Sequence, residues 1–333
     1  MTETAPPRPL VIGRLSNAVY PAAAMLAGMQ LELFTALDAG PATGAELAQR
    51  LGVKAEKLER VLYFLVAAEL LTLDGGRFAN GPEAAHFFVK GRKSYIGGAH
   101  ELYADLWHAV LKTAETIRTG TPQARHDFSA IDRASLTAFF RGLHPLALTA
   151  GSDLVRRFDL SRYRTLVEIG GGSGGTTIAL CRANPALRAT LIDLPSVAPI
   201  AAEFIREAGL ADRVTVREGD IVAGPPDGRF DLAIARALIQ VLGPEAAATA
   251  IRNIAASLAP GGSFYIFGQI LDDSRLAPAE TLGLDLAFLN LYEDGRAYTE
   301  SEHRAWCDAA GLVGFTRQVL PNGSSIVHAS KPA

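Results

Sequence analysis

Short apolar runs alternate with helical stretches through the second half of the chain, from about residue 165 onward. We predict strands at residues 165–169, 189–193, 213–217, 231–235 and 263–267. Strands separated by helices indicate a mostly parallel sheet with helices on both faces. Two further strands, at 314–320 and 325–330, flank the turn Pro321-Asn-Gly-Ser, which predicts a closing antiparallel hairpin. The pattern therefore indicates an α/β fold.

The first part of the chain has a mainly helical pattern. Residues 10–29 are apolar around the whole helix, which is typical of a helix that packs against a partner. Thr43 and Glu46 have the spacing of a capping box, and residues 55–70 form a strongly amphipathic helix. A tight hairpin follows at 71–79. Helix, turn, helix and hairpin together predict a winged helix.

Aromatic side chains are frequent in the helical stretch between residues 97 and 158 and again near residue 290. Two interpretations stay open for them, a flat apolar pocket between domains, where ligand sites are common, or ordinary core packing. The candidates for substrate contact are Tyr103, Trp107, Phe140, Leu143, Phe288 and Tyr292.

The 333-residue chain has a formal net charge of -3. A polyanion would not attract it over long range, so we predict no nucleic-acid partner and no membrane association. No uninterrupted apolar run reaches the roughly 20 residues of a membrane helix, and residues 1–9 do not resemble a signal peptide. Cys181 and Cys307 lack further metal-ligating neighbours, which predicts no metal site and a reducing compartment. We therefore expect a cytoplasmic protein.

A glycine-rich turn follows the strand at 165–169. Gly170, Gly172 and Gly175 fit the dinucleotide pattern G-x-G-x-x-G, in which a strand enters a turn and then a helix N-terminus. Glu168 points to a different ligand, because a carboxylate there would repel a pyrophosphate but would favour the cationic amine and sulfonium of S-adenosylmethionine (SAM). The alternative is that Glu168 is a solvated acid at a strand end.

Two more acids end the following strands. Asp193 has the position expected of a carboxylate that binds ribose hydroxyls, and Asp220 would lie near the adenine amine. With these motifs the chain resembles the class I SAM-dependent small-molecule O-methyltransferases of plant phenolics and bacterial secondary metabolites. The segments that carry the resemblance are 167–175, 193–195, 219–220, 230–232, 258–262 and 295–299.

This resemblance implies a Rossmann-like SAM methyltransferase sheet with a closing antiparallel hairpin, preceded by a mainly α winged-helix dimerisation domain. It implies three segments: residues 1–95 for dimerisation, 96–160 as a helical linker that lines the substrate pocket, and 161–333 for SAM binding. The expected partners are a small-molecule substrate, aromatic or polycyclic, and a second copy of the chain in a homodimer. SAM is the expected cofactor and S-adenosylhomocysteine its product. The residues expected to bind it are Glu168, Gly170, Gly172, Gly175, Asp193, Leu194, Gly219, Asp220 and Arg236.

The catalytic base of these enzymes is missing from its usual place. The resemblance implies a histidine in the segment after the fourth strand, but residues 236–245 contain none, and Ile239 or Gln240 occupies its position. A phenol with a pKa near 10 is only about 0.1% ionised at pH 7, which corresponds to roughly 4 kcal/mol, so the base is informative.

Three interpretations of the missing histidine are open. The base comes from elsewhere, with His144, His108, Glu293 and Asp294 as candidates. Alternatively, positioning alone suffices for an acidic or carbon-centred nucleophile, or the fold carries out non-methylating chemistry. The remaining histidines, His86, His126, His303 and His328, are expected to be structural or solvated.

A DNA-binding regulator is the rival hypothesis for a winged-helix protein. Its second helix would carry basic residues into the major groove. Here that helix mixes Lys54, Lys57 and Arg60 with acidic residues, which is typical of a solvated face. The sequence therefore favours an enzyme.

Overall fold

The computed structural model describes residues 7–92, 94–126, 128 and 131–333. The chain divides into two compact units after Ala104. The three segments expected from the sequence stay a prediction about how the chain is organised.

The first unit contains mostly helices and one two-stranded sheet. Its elements are α1 (Leu10–Asn17), α2 (Val19–Gln30), α3 (Leu33–Ala36), α4 (Gly44–Leu51), α5 (Ala55–Ala67), β1 (Leu71–Asp74), β2 (Arg77–Asn80) and α6 (Pro82–Phe87), and the chain continues into α7 (His100–Val110). The capping box before α4 is confirmed, because Thr43 Oγ1 accepts from the Glu46 backbone N–H and the Glu46 carboxylate accepts from the Thr43 N–H. The antiparallel hairpin β1–β2 after α5 completes the predicted helix, turn, helix and hairpin.

The apolar N-terminal stretch forms two helices instead of the single one predicted. Pro21 has no N–H to donate to the Asn17 carbonyl, and the helical hydrogen bonding is interrupted at Ala18. α1 buries no residue, and Ile12 and Leu15 are 68% and 60% exposed. The 21-residue stretch Leu10–Gln30 has the length and composition of a membrane-spanning helix, a test that signal sequences and core helices of soluble proteins also pass, and Arg14 and Asn17 interrupt its apolar run.

The second unit is built on a seven-stranded sheet. Its strands, in the order β10-β11-β7-β6-β3-β4-β5, include five parallel ones and a closing antiparallel hairpin of β10 and β11. The strands are β3 (Thr165–Ile169), β4 (Arg188–Asp193), β5 (Val214–Glu218), β6 (Phe230–Arg236), β7 (Leu258–Gly268), β10 (Val313–Val319) and β11 (Ser325–Ser330), and a separate parallel pair consists of β8 (Ile270–Leu271) and β9 (Tyr298–Thr299). The predicted α/β fold is confirmed.

Helices cover both faces of this sheet. Residues of α9 (Arg133–Arg157), α10 (Gly175–Ala183) and α11 (Ala198–Glu207) join the strands in one hydrophobic cluster, and residues of α12 (Pro244–Ser257) and α14 (Glu300–Ala309) join them in another. The unit also contains α8 (Thr113–Thr119) and α13 (Ala279–Leu291), which contact each other. Alternate residues of β6 enter different hydrophobic clusters, Leu232 in one and Ala233 in the other. A strand segment buried on both faces is apolar on both, which explains the continuous hydrophobic run at residues 232–235 of β6.

The strand order reverses at β3. The chain runs from β3 outward through β4 to β5, and then returns to the other side of β3 with β6. In open α/β sheets, ligands bind beyond the carboxyl ends of the strands at this kind of reversal. The carboxyl ends of β3, β4, β5 and β6 therefore define the candidate site.

Candidate active site

The glycine turn lies directly after β3 and leads into α10. Gly170 continues the ladder by donating its N–H to the Ile192 carbonyl, and Gly175 is the first residue of α10. Gly172 has a φ of +57°, and a Cβ on it would lie 2.7 Å from Cε1 of Phe140. Only glycine fits this position, because a side chain would be both strained and overlapping. Glycine at this position thus lets the turn pack directly against the Phe140 ring.

Glu168 is buried at the end of β3, with 1% of its surface exposed. Its Oε2 accepts hydrogen bonds from the Thr177 N–H, at 3.0 Å, and from the Thr177 hydroxyl. Burial raises the pKa of this carboxyl, while the bonds from Thr177 and the nearby charge of Arg236 act to lower it. The alternative of a solvated acid at the strand end is therefore wrong for this residue.

Asp193 connects the end of β4 to the glycine turn. Its Oδ2 accepts from the Gly172 N–H at 2.7 Å, and its Oδ1 accepts from the Leu194 N–H at 2.8 Å. Burial raises the pKa of Asp193, and these two hydrogen bonds oppose the rise. Each carboxylate oxygen keeps a second lone pair, so the group can still accept from a ligand hydroxyl.

The end of β5 positions two more of the predicted cofactor residues, Gly219 and Asp220. Gly219 donates its N–H to the Asp193 carbonyl, which joins the ends of β4 and β5. Asp220 is exposed, and its Oδ1 accepts from the Val222 N–H at 2.9 Å. Leu194, next to Asp193, is 38% exposed.

Arg236 ends β6 and lies half-buried within electrostatic range of Glu168. Burial lowers the pKa of its guanidinium, and the charge of Glu168 acts to raise it. The structure thus brings the acids of β3, β4 and β5, the glycine turn and Arg236 to one edge of the sheet.

Gln240, one of the two residues at the position where the resemblance implies a histidine, makes a structural hydrogen bond. It lies in a single 3₁₀ turn, Ile239–Val241, and its Oε1 accepts from the Gln269 N–H at 2.9 Å. An amide does not titrate in the neutral range and cannot take a proton from a hydroxyl. Gln240 therefore fixes the segment after β6 to the segment after β7.

His144 contacts the glycine turn from α9. Its Nδ1 lies 2.9 Å from the Ser173 hydroxyl, and its ring stacks on Phe204 with centroids 4.5 Å apart. Burial first, and then the charge of Arg141, lowers the pKa of His144 to about 4. A base this weak is poorly matched to a hydroxyl at neutral pH. The contacts favour a role in fixing the turn over the predicted role in proton transfer.

Glu293 lies at the solvent-exposed end of α13. Its side chain is 53% exposed and its Oε2 is 3.8 Å from Nη1 of Arg125. It borders an open groove of about 400 Å³ together with Leu286, Leu289 and Arg296. The side chain is exposed and its one ion pair is long, so its surroundings do not hold the carboxylate in a fixed position.

The predicted substrate residues occupy different environments. Phe140 abuts the glycine turn, and Leu143 is half-buried on the same helix. Phe288 and Tyr292 of α13 pack against each other with ring centroids 5.6 Å apart. Trp107 is half-buried on α7 in the second unit, whereas Tyr103 packs against the core of the first unit.

An aromatic cluster lies beside the turn. It consists of Phe128, Phe139 and Phe140, whose ring centroids are 5.3 to 6.2 Å apart. His126 joins the cluster edge-on and pairs with Asp105 at 2.8 Å. This pair could not be predicted from the sequence, because Asp105 lies on α7 and His126 in a loop, and the two belong to no motif.

The donor set fits SAM. A cationic amine and a sulfonium match the buried carboxylate of Glu168, and ribose hydroxyls match Asp193.

Comparison with known proteins identifies the family. The O-methyltransferase domain family matches residues 104–313, and the O-methyltransferase dimerisation domain family matches residues 14–90. The chain belongs to the O-methyltransferase family. It is a SAM-dependent methyltransferase.

Individual relatives cover nearly the whole of this methyltransferase. It is 29% identical to 3-hydroxy-5-methyl-1-naphthoate 3-O-methyltransferase of Streptomyces sahachiroi, over 96% of this chain and 94% of that one. It is 28% identical to the tetracenomycin polyketide synthesis 8-O-methyl transferase TcmO of Streptomyces glaucescens, over 96% of each chain. The fold matches human N-acetylserotonin methyltransferase, solved in complex with SAM, with a TM-score of 0.86 over 100% of both chains at 19% identity.

Proposed function

We propose that this methyltransferase transfers the methyl group of SAM to a hydroxyl group of a small aromatic or polycyclic metabolite. The observation that carries the proposal is the aromatic cluster in contact with the glycine turn at Gly172. Flat apolar rings beside a SAM seat favour a flat acceptor, since aromatic pairs stack or meet edge to face. The naphthoate and polyketide named for the two Streptomyces relatives support an acceptor of this class.

Five groups would hold SAM at the edge of the sheet. The glycine turn would take the methionine end, with Glu168 facing its ammonium group, and Asp193 would accept from the ribose hydroxyls. Asp220 would lie near the adenine, and the positive charge of Arg236 would favour the ionised form of Glu168. When bound, SAM supplies an electrophilic methyl group on a positively charged sulfur.

Incubation with SAM and a panel of naphthols, hydroxynaphthoates and hydroxyquinones tests the proposal. We expect mass spectrometry to detect a product that carries one added methyl group, and NMR to place that group on oxygen. Methylation on carbon or nitrogen would contradict the proposed acceptor. Calorimetric binding of SAM without any methylated product would favour the non-methylating interpretation.

An Asp193→Asn variant should bind SAM about 10-fold more weakly, which corresponds to about 1.4 kcal/mol, because one charged acceptor is lost. The NH₂ group of the asparagine would also replace one of the two oxygens that accept from the Gly172 and Leu194 N–H groups. Isothermal titration calorimetry measures the effect. Asp212→Asn, at an exposed position, is the matched control. Equal affinity in both variants would place the ribose elsewhere.

We also propose that α1 and α2 form the homodimer contact, which the dimerisation-domain match over residues 14–90 supports. Their exposed apolar residues would then be covered by a second copy. Replacing Ile12 and Leu15 together by Asp should convert the dimer to a monomer in light scattering. Leu111→Asp, at an 83% exposed position in the second unit, should leave it a dimer. A dimer that survives the double change would place the interface elsewhere.

The expected cytoplasmic location stays a prediction.

A further inference from the structure

A histidine and an aspartate form a side-chain pair that the predicted site does not include. Nε2 of His126 lies 2.8 Å from Oδ2 of Asp105, and the histidine side chain is only 14% exposed. The carboxylate is an acceptor, so Nε2 carries the proton and the lone pair of the neutral ring is on Nδ1. An imidazole held in one tautomer by a carboxylate is the arrangement of a general base.

The backbone around His126 is fixed by the end of α13. Ala124 donates its N–H to the Asn290 carbonyl and His126 donates its N–H to the Leu291 carbonyl, both at 3.0 Å. These carbonyls belong to the last turn of the helix, where no N–H group of the same helix donates to them. The negative end of the helix dipole favours a cation nearby. The end of α13 thus holds the backbone of His126 in a fixed position.

The ring of His126 also lies on the aromatic cluster. Its centroid is 5.8 Å from Phe139 and 6.1 Å from Phe128, edge-on to both. Phe139 contacts Phe140, which in turn abuts Gly172. A flat acceptor that covers this cluster would therefore extend between the SAM seat and His126.

The charged and titratable neighbours of the pair come from three elements. The hydrogen bond from His126, and then the charges of His126 and His108, hold the pKa of Asp105 below its ordinary value. Burial first, and then Asp105, raises the pKa of Tyr292 to about 12, so this phenol stays protonated at neutral pH. Arg125, adjacent in sequence, pairs with Glu293 at 3.8 Å.

We propose that His126 is the general base for the acceptor hydroxyl and that Asp105 is its positioning residue. The inference rests on the proposed function. Nδ1 takes the hydroxyl proton, and the oxygen uses the freed pair to bond the methyl carbon while the carbon–sulfur pair stays on sulfur. A neutral imidazole and a sulfonium thus become an imidazolium, which faces Asp105, and a neutral thioether. No histidine is then needed at Gln240.

The test measures rates against pH for the full-length protein with SAM and 3-hydroxy-2-naphthoate, 2-naphthol or a hydroxynaphthoquinone. In His126→Gln we expect kcat at pH 7 to fall by about 10²- to 10⁴-fold. KM and the Kd for SAM should stay within about twofold. The deficit should shrink as pH approaches the pKa of the acceptor, because the ionised acceptor needs no base. A purely structural defect would lower the rate equally at every pH.

Asp105→Asn provides the second measurement, and it does not depend on His126→Gln folding. Nε2 of His126 would lose the carboxylate that orients the ring, so kcat at pH 7 should fall while KM and the Kd for SAM stay within about twofold. His86→Gln, an exposed histidine of the first unit, is the matched control and should leave the rate unchanged.

The outcomes separate the two levels of the proposal. An active parent whose His126→Gln variant keeps kcat within threefold at pH 7, or whose kcat is unchanged by Asp105→Asn, would overturn the assignment of the base but not the proposed function. A parent that binds SAM and methylates none of the hydroxyarenes would overturn the proposed function, and this inference with it.

Discussion

A Gly175→Val variant is expected to lose about 3 to 5 kcal/mol of its free energy of unfolding, because α9 and α10 approach each other at backbone distance. A Cβ on Gly175 would lie 2.6 Å from Cβ of Ala147 and 2.8 Å from the backbone nitrogen of Leu148. The contact is reciprocal, since a Cβ on Gly151 of α9 would lie 2.6 Å from Cβ of Ala179. Neither helix can move away at one glycine without disturbing the other.

Urea denaturation followed by circular dichroism measures this effect. Gly283→Val is the matched control, because Gly283 is an exposed residue of α13 with nothing within 4 Å of a built Cβ. That variant should stay within about 0.5 kcal/mol of the parent, as expected of a surface substitution. Similar losses in both variants would show that valine in a helix, and not the close approach, is responsible.

The sequence predicted well those parts of the fold that depend on local pattern. β3 lies where the apolar run predicted it, at residues 165–169, and the final strand lies at 325–330. β7 is longer than predicted, beginning at Leu258 instead of residue 263. Its first residues pair with the neighbouring strand across a register shift, which the alternation of side chains does not indicate.

The candidate site divides in the same way. Glu168 and Asp193 could be found because each ends a strand, and parallel strands place such ends at one edge. The sequence predicts His126 only as a structural or solvated residue. Its pairing with Asp105 could not be predicted, because it depends on how residues 124–126 follow the end of α13. Likewise, the weak basicity of His144 arises from burial and from Arg141, neither of which is visible in a motif. Long-range contacts of this kind are fixed by tertiary packing alone.

A Glu168→Gln variant is expected to change SAM affinity and protein stability in opposite directions. Affinity should fall on the order of 100-fold, about 2.7 kcal/mol, because the ammonium group of SAM would lose a charged acceptor in a buried site. Both bonds from Thr177 go to Oε2, so the amide oxygen of glutamine can take the same place and keep them. The side chains have nearly the same shape, so packing is preserved.

The stability of the ligand-free variant should rise with pH relative to the parent. Burial raises the pKa of Glu168 above its ordinary value of 4.5, so the folded state binds this proton more tightly than the unfolded state. The stability that this group contributes is fully present below pH 4.5 and is lost as pH rises through the folded pKa. Glutamine does not titrate, so its advantage should be near zero at acidic pH and reach about 1 kcal/mol at pH 8.

Thermal unfolding between pH 5 and pH 8, with calorimetry of SAM binding at pH 7.5, decides between two accounts of this acid. If desolvation dominates, the variant unfolds at a higher temperature than the parent above neutral pH and binds SAM weakly. If the attraction of Arg236 dominates instead, removing the negative charge leaves a half-buried guanidinium uncompensated, and the variant is the less stable protein at every pH above 5. A variant with unchanged SAM affinity would show that Glu168 is a structural acid that orders the start of α10 through Thr177, and would move the binding of the ammonium group to another residue.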